Sequence, residues 1–494
     1  MIKKNVKQLI ILCILLGSMV FVISNETGKI DAETSALPDI IKIGYLAPLT
    51  GSLGSFGSGM LEGAELAEWV VNTKWGGISR NGKTQAMIDI IVKDTETDPA
   101  KVSVIVNDLI TIEGCEVIIG AAASSCTLAA DGVTDPNEVV LISYASTSPA
   151  ISTDAGDYTY RVVPMDKLQG DALAALAYEK EFRHAAMIYL DNSYGLGFAT
   201  VFKQTFIALG GTVELNLPYI ETKTSFDMEL TAIKTAADAG TIDVIMDVSY
   251  SDDGAIIFIE AALAGITTPW VCAEGVADEA IFDVATGVGE AITGMMGTKP
   301  FLYTNTPEYQ EFLGYFKEFY GATETPGIYC DYSYDAVMLA VEAISAADVY
   351  NGSAIKAALD TVNVGWIGAT GDKTFDILGD VGGSYILWEV TEDPTGTCWE
   401  FTQFGMWTSA KGVDITVTDP IFTGTCPGMP TPPPTTTSPP TPTPPSTTTD
   451  TTDITESSIT SEKSTDPPPP VVISSWEVYI GITALVLFVL LRRR

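Results

Sequence analysis

Short runs of aliphatic and β-branched residues alternate with helical patterns between residues 40 and 420. In the first helical stretch, four apolar residues at spacings of four, three and four predict one buried helix face: Met60, Ala64, Ala67 and Val71. Strands that alternate with helices predict parallel sheets covered by helices on both sides, an α/β fold. The predicted strands are 41–47, 87–92, 117–120, 139–144, 186–190, 244–248 and 270–273.

Hydroxyl side chains follow two neighbouring predicted strands. Ser124 comes just after the third strand and Thr147 just after the fourth. Ligands of α/β folds bind beyond the carboxyl ends of the strands, and a helix N-terminus with hydroxyl caps suits a carboxylate. The alternative is that both residues only cap their helices. Their pairing at adjacent strand ends favours a shared site.

Four glycines follow the first predicted strand, and they raise the possibility of a dinucleotide site. In the frame that starts at Gly57, however, Glu62 stands where the last glycine is required. We therefore predict a ligand-contact turn or a helix-start loop, and no cofactor.

Charge and histidine content narrow the function classes. The chain of 494 residues has 63 Asp+Glu against 26 Lys+Arg, a formal net charge of -37. Such a balance disfavours nucleic-acid partners and predicts a solvated acidic surface. The single histidine, His184, argues against a His-based metal site or a Ser-His-Asp hydrolase and is predicted to flank a strand. We expect no metal and no catalytic residue.

Cysteine usage permits disulfides. Of seven cysteines, Cys13 lies in the N-terminal apolar run, which leaves six in an exported chain. Cys398 with Cys426 is the best candidate pair. Cys115 and Cys126 flank opposite ends of one predicted strand and are poorly placed for each other.

The N-terminus predicts export. Residues 1–24 combine a basic start with an apolar run, as a signal peptide does. The run directly before Cys13 lacks the small residues of a lipoprotein box, which disfavours lipid anchoring. The mature chain is therefore predicted to lie outside the cell.

The C-terminus predicts a stalk and an anchor. Residues 427–470 are rich in Thr, Pro and Ser and cannot build a core. Residues 471–491 approach the length of a transmembrane helix, and the basic end 492–494 is predicted to be cytoplasmic. A GPI signal is the alternative, which the basic end disfavours.

Several motifs together resemble the type I periplasmic binding proteins, and within them the branched-chain amino acid (Leu/Ile/Val) binding proteins of ABC transporters. The resemblance covers about residues 41–390. It rests on these stretches: Ile43 to Gly51 with Gly63-Ala64, Ile142 to Pro149, Asp191 to Gly197, and Glu274-Gly275.

The resemblance implies two Rossmann-like lobes joined by three hinge crossings, with the ligand in the cleft between them. Lobe 1 would comprise residues 39–162 and 298–380. Lobe 2 would comprise residues 163–297 and 381–420.

The resemblance also implies a ligand site. The ligand's carboxylate would meet Ser124, Thr147 and the backbone at Ala145, and its ammonium would meet Glu274. The cleft would be shaped by three aromatic residues: Phe56, Tyr194 and Tyr250. Alternatives are that Glu274 is a solvent-facing loop carboxylate and that the tyrosines are core aromatics. Two departures bear on side-chain specificity: Phe56 replaces the family's usual Tyr, and Ser146 its usual Ala.

The implied function is capture of a small amino acid, branched-chain or similar, outside the cell and its delivery to an ABC permease and ATPase. Alternatives are the ectodomain of a sensor or receptor, a binder of urea or amides, and a surface-coat protein. An enzyme is disfavoured because the candidate site has no base-activated nucleophile. The C-terminal anchor favours an archaeal cell, or at least one without an outer membrane.

Overall fold

The computed structural model describes residues 37–415, except 81–82, 280, 285, 303 and 393–397. Outside these residues lie the predicted signal peptide (1–24), stalk (427–470), transmembrane anchor (471–491) and basic end (492–494). In the described part of the chain, no helix is both long and apolar enough to cross a membrane. Export and anchoring stay predictions.

The first sheet has six strands in the order β2-β3-β1-β4-β5-β6, all parallel to their neighbours except β2. The strands are β1 Ile40–Ala47, β2 Ile78–Arg80, β3 Lys83–Asp94, β4 Val117–Ile119, β5 Val140–Ser143 and β6 Thr159–Arg161. The helices between them are α1 Gly54–Trp69, α2 Pro99–Asp108, α3 Ser124–Thr134 and α4 Pro149–Asp154. Every residue of β4 and β5 is buried, as expected for central strands covered on both faces.

The second sheet has eight strands in the order β16-β15-β14-β11-β10-β9-β7-β8. They are β7 His184–Leu190, β8 Thr212–Tyr219, β9 Val244–Val248, β10 Trp270–Cys272, β11 Met296–Pro300, β14 Tyr385–Glu392, β15 Trp399–Thr408 and β16 Gly412–Asp414. The part from β8 to β11 is parallel, and β14, β15 and β16 extend it in antiparallel fashion. The short strands β12 Ile367–Gly368 and β13 Gly371–Asp372 pair separately.

The remaining helices follow β6 in the chain. They are α5 Asp166–Glu179, α6 Ser193–Leu209, α7 Asp227–Asp238, α8 Ser251–Leu263, α9 Ile281–Val284, α10 Val288–Ile292, α11 Pro307–Phe319, α12 Cys330–Ala346 and α13 Gly352–Val362. Helix α12 packs against α1, and α13 contacts β5. The chain therefore returns to the first sheet after β11 has completed the parallel part of the second.

The chain passes between the two sheets three times: between β6 and α5, between β11 and α11, and between β13 and β14. The predicted two-lobe α/β architecture is confirmed, and we call the lobes after their sheets, the first lobe and the second lobe. The residue boundaries predicted for them stay a prediction.

All seven predicted strands are present, and the predicted helix face is buried. Met60, Ala64 and Ala67 on α1, and Val71 in the π-helical turn Val70–Lys74 that continues it, are at most 2% exposed. The predictions omitted β2, β6, β8, β11 and the strands from β12 to β16. Edge strand β8 alternates between exposed and half-buried residues, as a strand with one face more open to solvent does, so it lacks a continuous apolar run.

Two side-chain predictions concern residues away from the cleft. Cys398 is disulfide-bonded, and its predicted partner Cys426 lies outside the described residues. Cys115 and Cys126 are buried free thiols, which confirms that they do not pair with each other. His184 begins β7, where its exposed ring lies 2.9 Å from the Thr212 hydroxyl.

Candidate functional site

A cavity lies between the two lobes, a position at which small-molecule sites are common. It brings together all seven predicted site residues: Phe56, Ser124, Ala145, Thr147, Tyr194, Tyr250 and Glu274. The sequence analysis did not single out six further lining residues: Leu53, Met60, Ala122, Gly275, Ile328 and Tyr329. Shared lining shows proximity, and ligand contact stays a prediction.

The first lobe contributes two strand-to-helix turns to the cavity. The Ser124 hydroxyl accepts a hydrogen bond from the Ser148 amide at 3.2 Å, which joins the two turns. Helix α3 begins at Ser124, and its first N–H groups have no intrahelical acceptor. The turns thus offer amide and hydroxyl donors to an anion. The capping alternative is wrong, because Ala123 and Ser148 hold the N-cap positions of α3 and α4.

A second layer of hydroxyls supports these turns from behind the cavity. The Ser146 hydroxyl donates to the Ala121 or Ala122 carbonyl, at 3.0 and 2.9 Å, and lies 2.7 Å from the Thr127 hydroxyl. The Ser143 hydroxyl also donates to Ala121, at 2.7 Å. Ser146 does not line the cavity. Its difference from the family pattern therefore changes the support of the turn rather than the surface that faces a ligand.

Arg161 fixes the same turn to the third passage between the lobes. Its guanidinium is fully buried and forms an ion pair with Asp380. It also donates to the Ser148 carbonyl at 2.8 Å and the Ser146 carbonyl at 3.3 Å. A movement of the chain near Asp380 would therefore also displace the turn that carries Thr147.

The second lobe contributes Glu274, which opens a 3₁₀ turn (Glu274–Val276) directly after β10. Its side chain is 4% exposed, so the alternative of a solvent-facing carboxylate is wrong. Gln169 on α5 donates to it at 2.7 Å. Burial raises the pKa of Glu274 to about 7, although hydrogen bonding, including the bond from Gln169, partly opposes that shift.

Gly275 makes room for this turn. A Cβ atom at Gly275 would lie 2.3 Å from the Ser249 carbonyl oxygen, a backbone atom that cannot move aside. The Glu-Gly pair noted in the sequence is therefore a packing requirement next to the buried carboxylate.

Aromatic side chains line both sides of the cavity. The rings of Tyr194 and Tyr250 stack with centroids 5.6 Å apart and an interplanar angle of 5°. Both rings also pack against the core, so the two interpretations of these tyrosines, core and cleft, hold together. Phe56 lies opposite on α1, beside Leu53 and Met60, in an apolar part of the wall.

Several buried polar atoms near Glu274 have no hydrogen-bond partner in the described part of the chain. They are both carboxylate oxygens of Asp166, Oε1 of Gln169, and the hydroxyls of Tyr194 and Tyr329. All four residues influence the charge of Glu274 or are influenced by it. Unpaired buried polar groups are rare and costly. We call the second-lobe side of the cavity, formed by Tyr194, Tyr250, Glu274 and Gly275, the second wall. The concentration of unpaired groups behind it makes it the place where a polar ligand group fits.

Hydrogen bonds join the lobes at the mouth of the cavity. The Ser52 hydroxyl donates to Glu221 at 2.8 Å, and the Ser148 hydroxyl donates to the Ser193 carbonyl at 2.7 Å. Asn192 donates to the other carboxylate oxygen of Glu221. The lobes are thus in direct contact, and the cavity residues are largely shielded from solvent.

Only part of the additional lining had a sequence signal. Met60 belongs to the predicted buried face of α1, and Gly275 to the Glu-Gly pair. Tyr329 precedes α12 in a left-handed backbone conformation with φ 59°, which no local pattern predicts for a tyrosine.

Known proteins share this architecture. Residues 40–391 match the family described as periplasmic binding protein. A leucine-, isoleucine-, valine-, threonine- and alanine-binding protein of Pseudomonas aeruginosa is 24% identical over 371 residues, which cover 74% of this chain and 94% of that protein.

Two solved structures share the fold at similar coverage. One is the branched-chain amino acid transporter substrate-binding protein LivJ of Streptococcus pneumoniae in complex with isoleucine, with a TM-score of 0.62 and 24% identity over 74% of this chain and 99% of that one. The other is an ABC transporter solute-binding protein of R. palustris in complex with benzoate, with a TM-score of 0.64 and 17% identity over 77% of this chain and 98% of that one.

Proposed function

Because the chain belongs to the periplasmic binding protein family, we propose that it is the substrate-binding protein of an ABC importer and captures an amino acid with an apolar side chain. The amino-acid-binding relatives support this proposal, since they are named for what they bind and not for a reaction. The role is binding and delivery, without chemistry on the ligand.

The separation of charge-binding groups in the cavity carries the proposal. The first-lobe side of the cavity, which we call the first wall, offers the donors of the Ser124 and Thr147 turns. The second wall offers the buried carboxylate of Glu274. A zwitterion that leaves water needs both of its charges paired. An α-amino acid has its carboxylate and ammonium on one carbon, so it fits a cavity with donors on one side and an acid on the other.

The apolar part of the cavity supports the choice of side chain. Leu53, Phe56, Met60 and Ile328 form this part, and no Lys or Arg is among the described lining residues. Burying an aliphatic side chain here is favourable by about 25 cal/mol per Å² of apolar surface. Leucine, isoleucine and valine are therefore preferred over charged or strongly polar amino acids.

Calorimetric titration of the purified chain tests the ligand class. Leucine, isoleucine and valine should bind, while benzoate, which has no ammonium, and urea, which has no charge, should bind at least about tenfold more weakly. Tight binding of benzoate or urea with no binding of the three amino acids would overturn the amino-acid proposal.

Ligand capture is expected to close the lobes by hinge motion, since the chain crosses between them three times. Small-angle scattering should show a more compact particle with saturating leucine than without it. Identical curves would contradict the clamp mechanism.

The partners proposed for delivery are an ABC permease and ATPase, with the C-terminal segment 471–491 as the anchor that holds the protein at the outer face of the membrane. Uptake of labelled leucine by cells that lack this chain would separate transport from sensing. Unchanged uptake would favour the sensor alternative.

A further inference from the structure

Behind the second wall, helix α5 presents two polar side chains toward Glu274. Asp166 and Gln169 are three residues apart, hence on one helix face, and both are fully buried. Gln169 uses its amide group twice, donating to Glu274 at 2.7 Å and to the Thr298 carbonyl at 3.0 Å. Asp166 has no such use: neither of its carboxylate oxygens has a hydrogen-bond partner among the described residues.

The surroundings of Asp166 do not supply a counter-ion. The buried guanidinium of Arg161 forms its ion pair with Asp380, and it also favours the charged form of Asp166. The hydroxyl of Thr147 also favours the charged form of Asp166. Against these act complete burial and the Glu274 carboxylate, and together they raise the pKa of Asp166 well above its usual range.

One cation lies near the pair: the half-buried Lys299 on β11 interacts with Glu274 and donates to the Ala277 carbonyl at 3.2 Å. The remaining titratable neighbours are tyrosines. The phenols of Tyr194, Tyr329 and Tyr385 all interact with Asp166 and Glu274, and burial raises the pKa of each phenol. The tyrosines therefore stay protonated. Asp166 and Glu274 are left as two buried carboxyl groups that cannot both be charged cheaply in a dry site.

We propose that Asp166 and Glu274 act as one proton-holding pair, which carries a proton in the unliganded protein and releases it when the ligand's ammonium binds. The O–H bond of the carboxylic acid breaks, its electrons stay on the carboxylate, and the proton passes to solvent and buffer. The one negative charge that the pair gains in this step is offset by the positive charge of the bound ammonium. Asp166 is a positioning residue here: it does not line the cavity and acts through Glu274.

The inference rests on the proposed function, because only a cationic ligand group can displace the proton. It predicts that leucine affinity rises with pH between about 6 and 8, since the protonated pair competes with the ammonium. The sign follows from the raised pKa values: below that window the pair holds its proton and binding must remove it, whereas above the window the pair is already ionised. The two groups titrate as a pair, so a single macroscopic transition is expected in this range.

Titration calorimetry of the full chain with leucine, at pH 7 in two buffers of different ionisation enthalpy, measures the proton directly. The observed binding enthalpy should differ between phosphate and Tris by an amount that corresponds to release of roughly half to one proton per leucine. Equal enthalpies in the two buffers, with leucine bound, would overturn the inference and leave the proposed function intact. No leucine binding in either buffer would instead overturn the proposed function, and the inference with it.

Two variants assign the proton to the pair. Asp166→Asn should still bind leucine but release few or no protons and lose the rise of affinity with pH. Asp348→Asn, the same change at an exposed position of the first lobe, should release as many protons as the unmodified chain. If Asp166→Asn folds and releases protons as before, the pair is not the source.

If Asp166→Asn does not fold, infrared spectroscopy of the unmodified chain decides. The band of a protonated carboxylic acid should be present without leucine and absent with it. A band unchanged by leucine would overturn the inference.

Discussion

The two walls of the cavity satisfy their buried polar groups in different ways. In the first lobe, the hydroxyls of Ser143, Ser146 and Thr127 all find partners within the protein. In the second lobe, four buried polar atoms around Glu274, on Asp166, Gln169 and Tyr194, have no partner among the described residues. The Tyr329 hydroxyl, which the first lobe contributes just before α12, has none either. Both walls are equally well buried, so exposure does not explain the contrast.

This difference indicates a division of labour. The first wall is a preformed receptor, since its turns are held by the protein's own hydrogen bonds before any ligand arrives. The second wall has buried polar groups without partners, and only a ligand with hydrogen-bond donors can remove their free-energy cost. Preorganisation lowers the entropy cost of binding on the first wall, and relief of unpaired groups on the second supplies binding free energy. Variants at the second wall should therefore have the larger effects on affinity.

The largest effect is expected for Glu274→Gln. The change keeps the shape of the side chain but leaves the ligand's ammonium without its counter-charge. Loss of one partner of a buried charge pair costs about 2 to 5 kcal/mol, so leucine affinity should fall roughly 30-fold to several thousand-fold by calorimetry. Glu290→Gln, at an exposed position of the same lobe, is the matched control and should leave affinity unchanged.

A change of less than about threefold in Glu274→Gln would place this residue among charges that contribute little. It would also remove the distinction between the walls, because the unpaired atoms around Glu274 would then have no role in binding.

A smaller effect is expected for Thr147→Val, which removes a hydroxyl from the first wall and nearly keeps the side-chain volume. Hydrogen bonds to a charged group contribute about 1.5 to 3 kcal/mol, so leucine affinity should fall roughly 10- to 150-fold. The exposed Thr231→Val is the control. A loss greater than that of Glu274→Gln, measured in the same titration, would reverse the proposed ranking of the two walls.

The first wall was the more predictable of the two from the sequence. Its strands β4 and β5 are short apolar runs, and hydroxyl side chains follow each of them within a few residues: Ser124 after β4, and Ser146 and Thr147 after β5. The pattern of hydroxyls could not tell which ones face the cavity, however. Thr147 lines it and Ser146 supports it from behind, although they are adjacent residues with the same chemistry.

The second wall depends on contacts that local patterns do not contain. The resemblance identified Glu274, but its partner Gln169 is 105 residues away in sequence. Asp166 reads as an ordinary acidic residue in the first turn of a helix, a favourable position on electrostatic grounds alone. Its burial became evident only from the packing of α5 beside the second sheet.

The third prediction separates support from contact within the first wall. Ser146→Ala removes the hydroxyl that bonds the Ala121 and Ala122 carbonyls, so the free energy of unfolding should fall by about 1 to 3 kcal/mol in denaturant titration. Leucine affinity should change far less than in Thr147→Val, because Ser146 does not line the cavity. An affinity loss as large as that of Thr147→Val, without a loss of stability, would show that the Ser146 hydroxyl reaches the ligand.

The smallest effect is expected where the two lobes meet. Ser52→Ala removes the donor that reaches Glu221 across the cleft mouth, while Asn192 continues to donate to the same carboxylate. A half-buried hydrogen bond contributes about 0.5 to 1.5 kcal/mol, so the closed form should weaken and leucine should dissociate roughly two- to tenfold faster in stopped-flow measurements. The control Ser58→Ala, at an exposed position of helix α1 shortly after Ser52, should leave dissociation unchanged. Because the bond joins the lobes without lining the cavity, the loss should be in the dissociation rate, with the ranking of leucine, isoleucine and valine preserved. A change in that ranking would mean that the mouth contributes to selectivity, and the division of labour would then extend beyond the two walls.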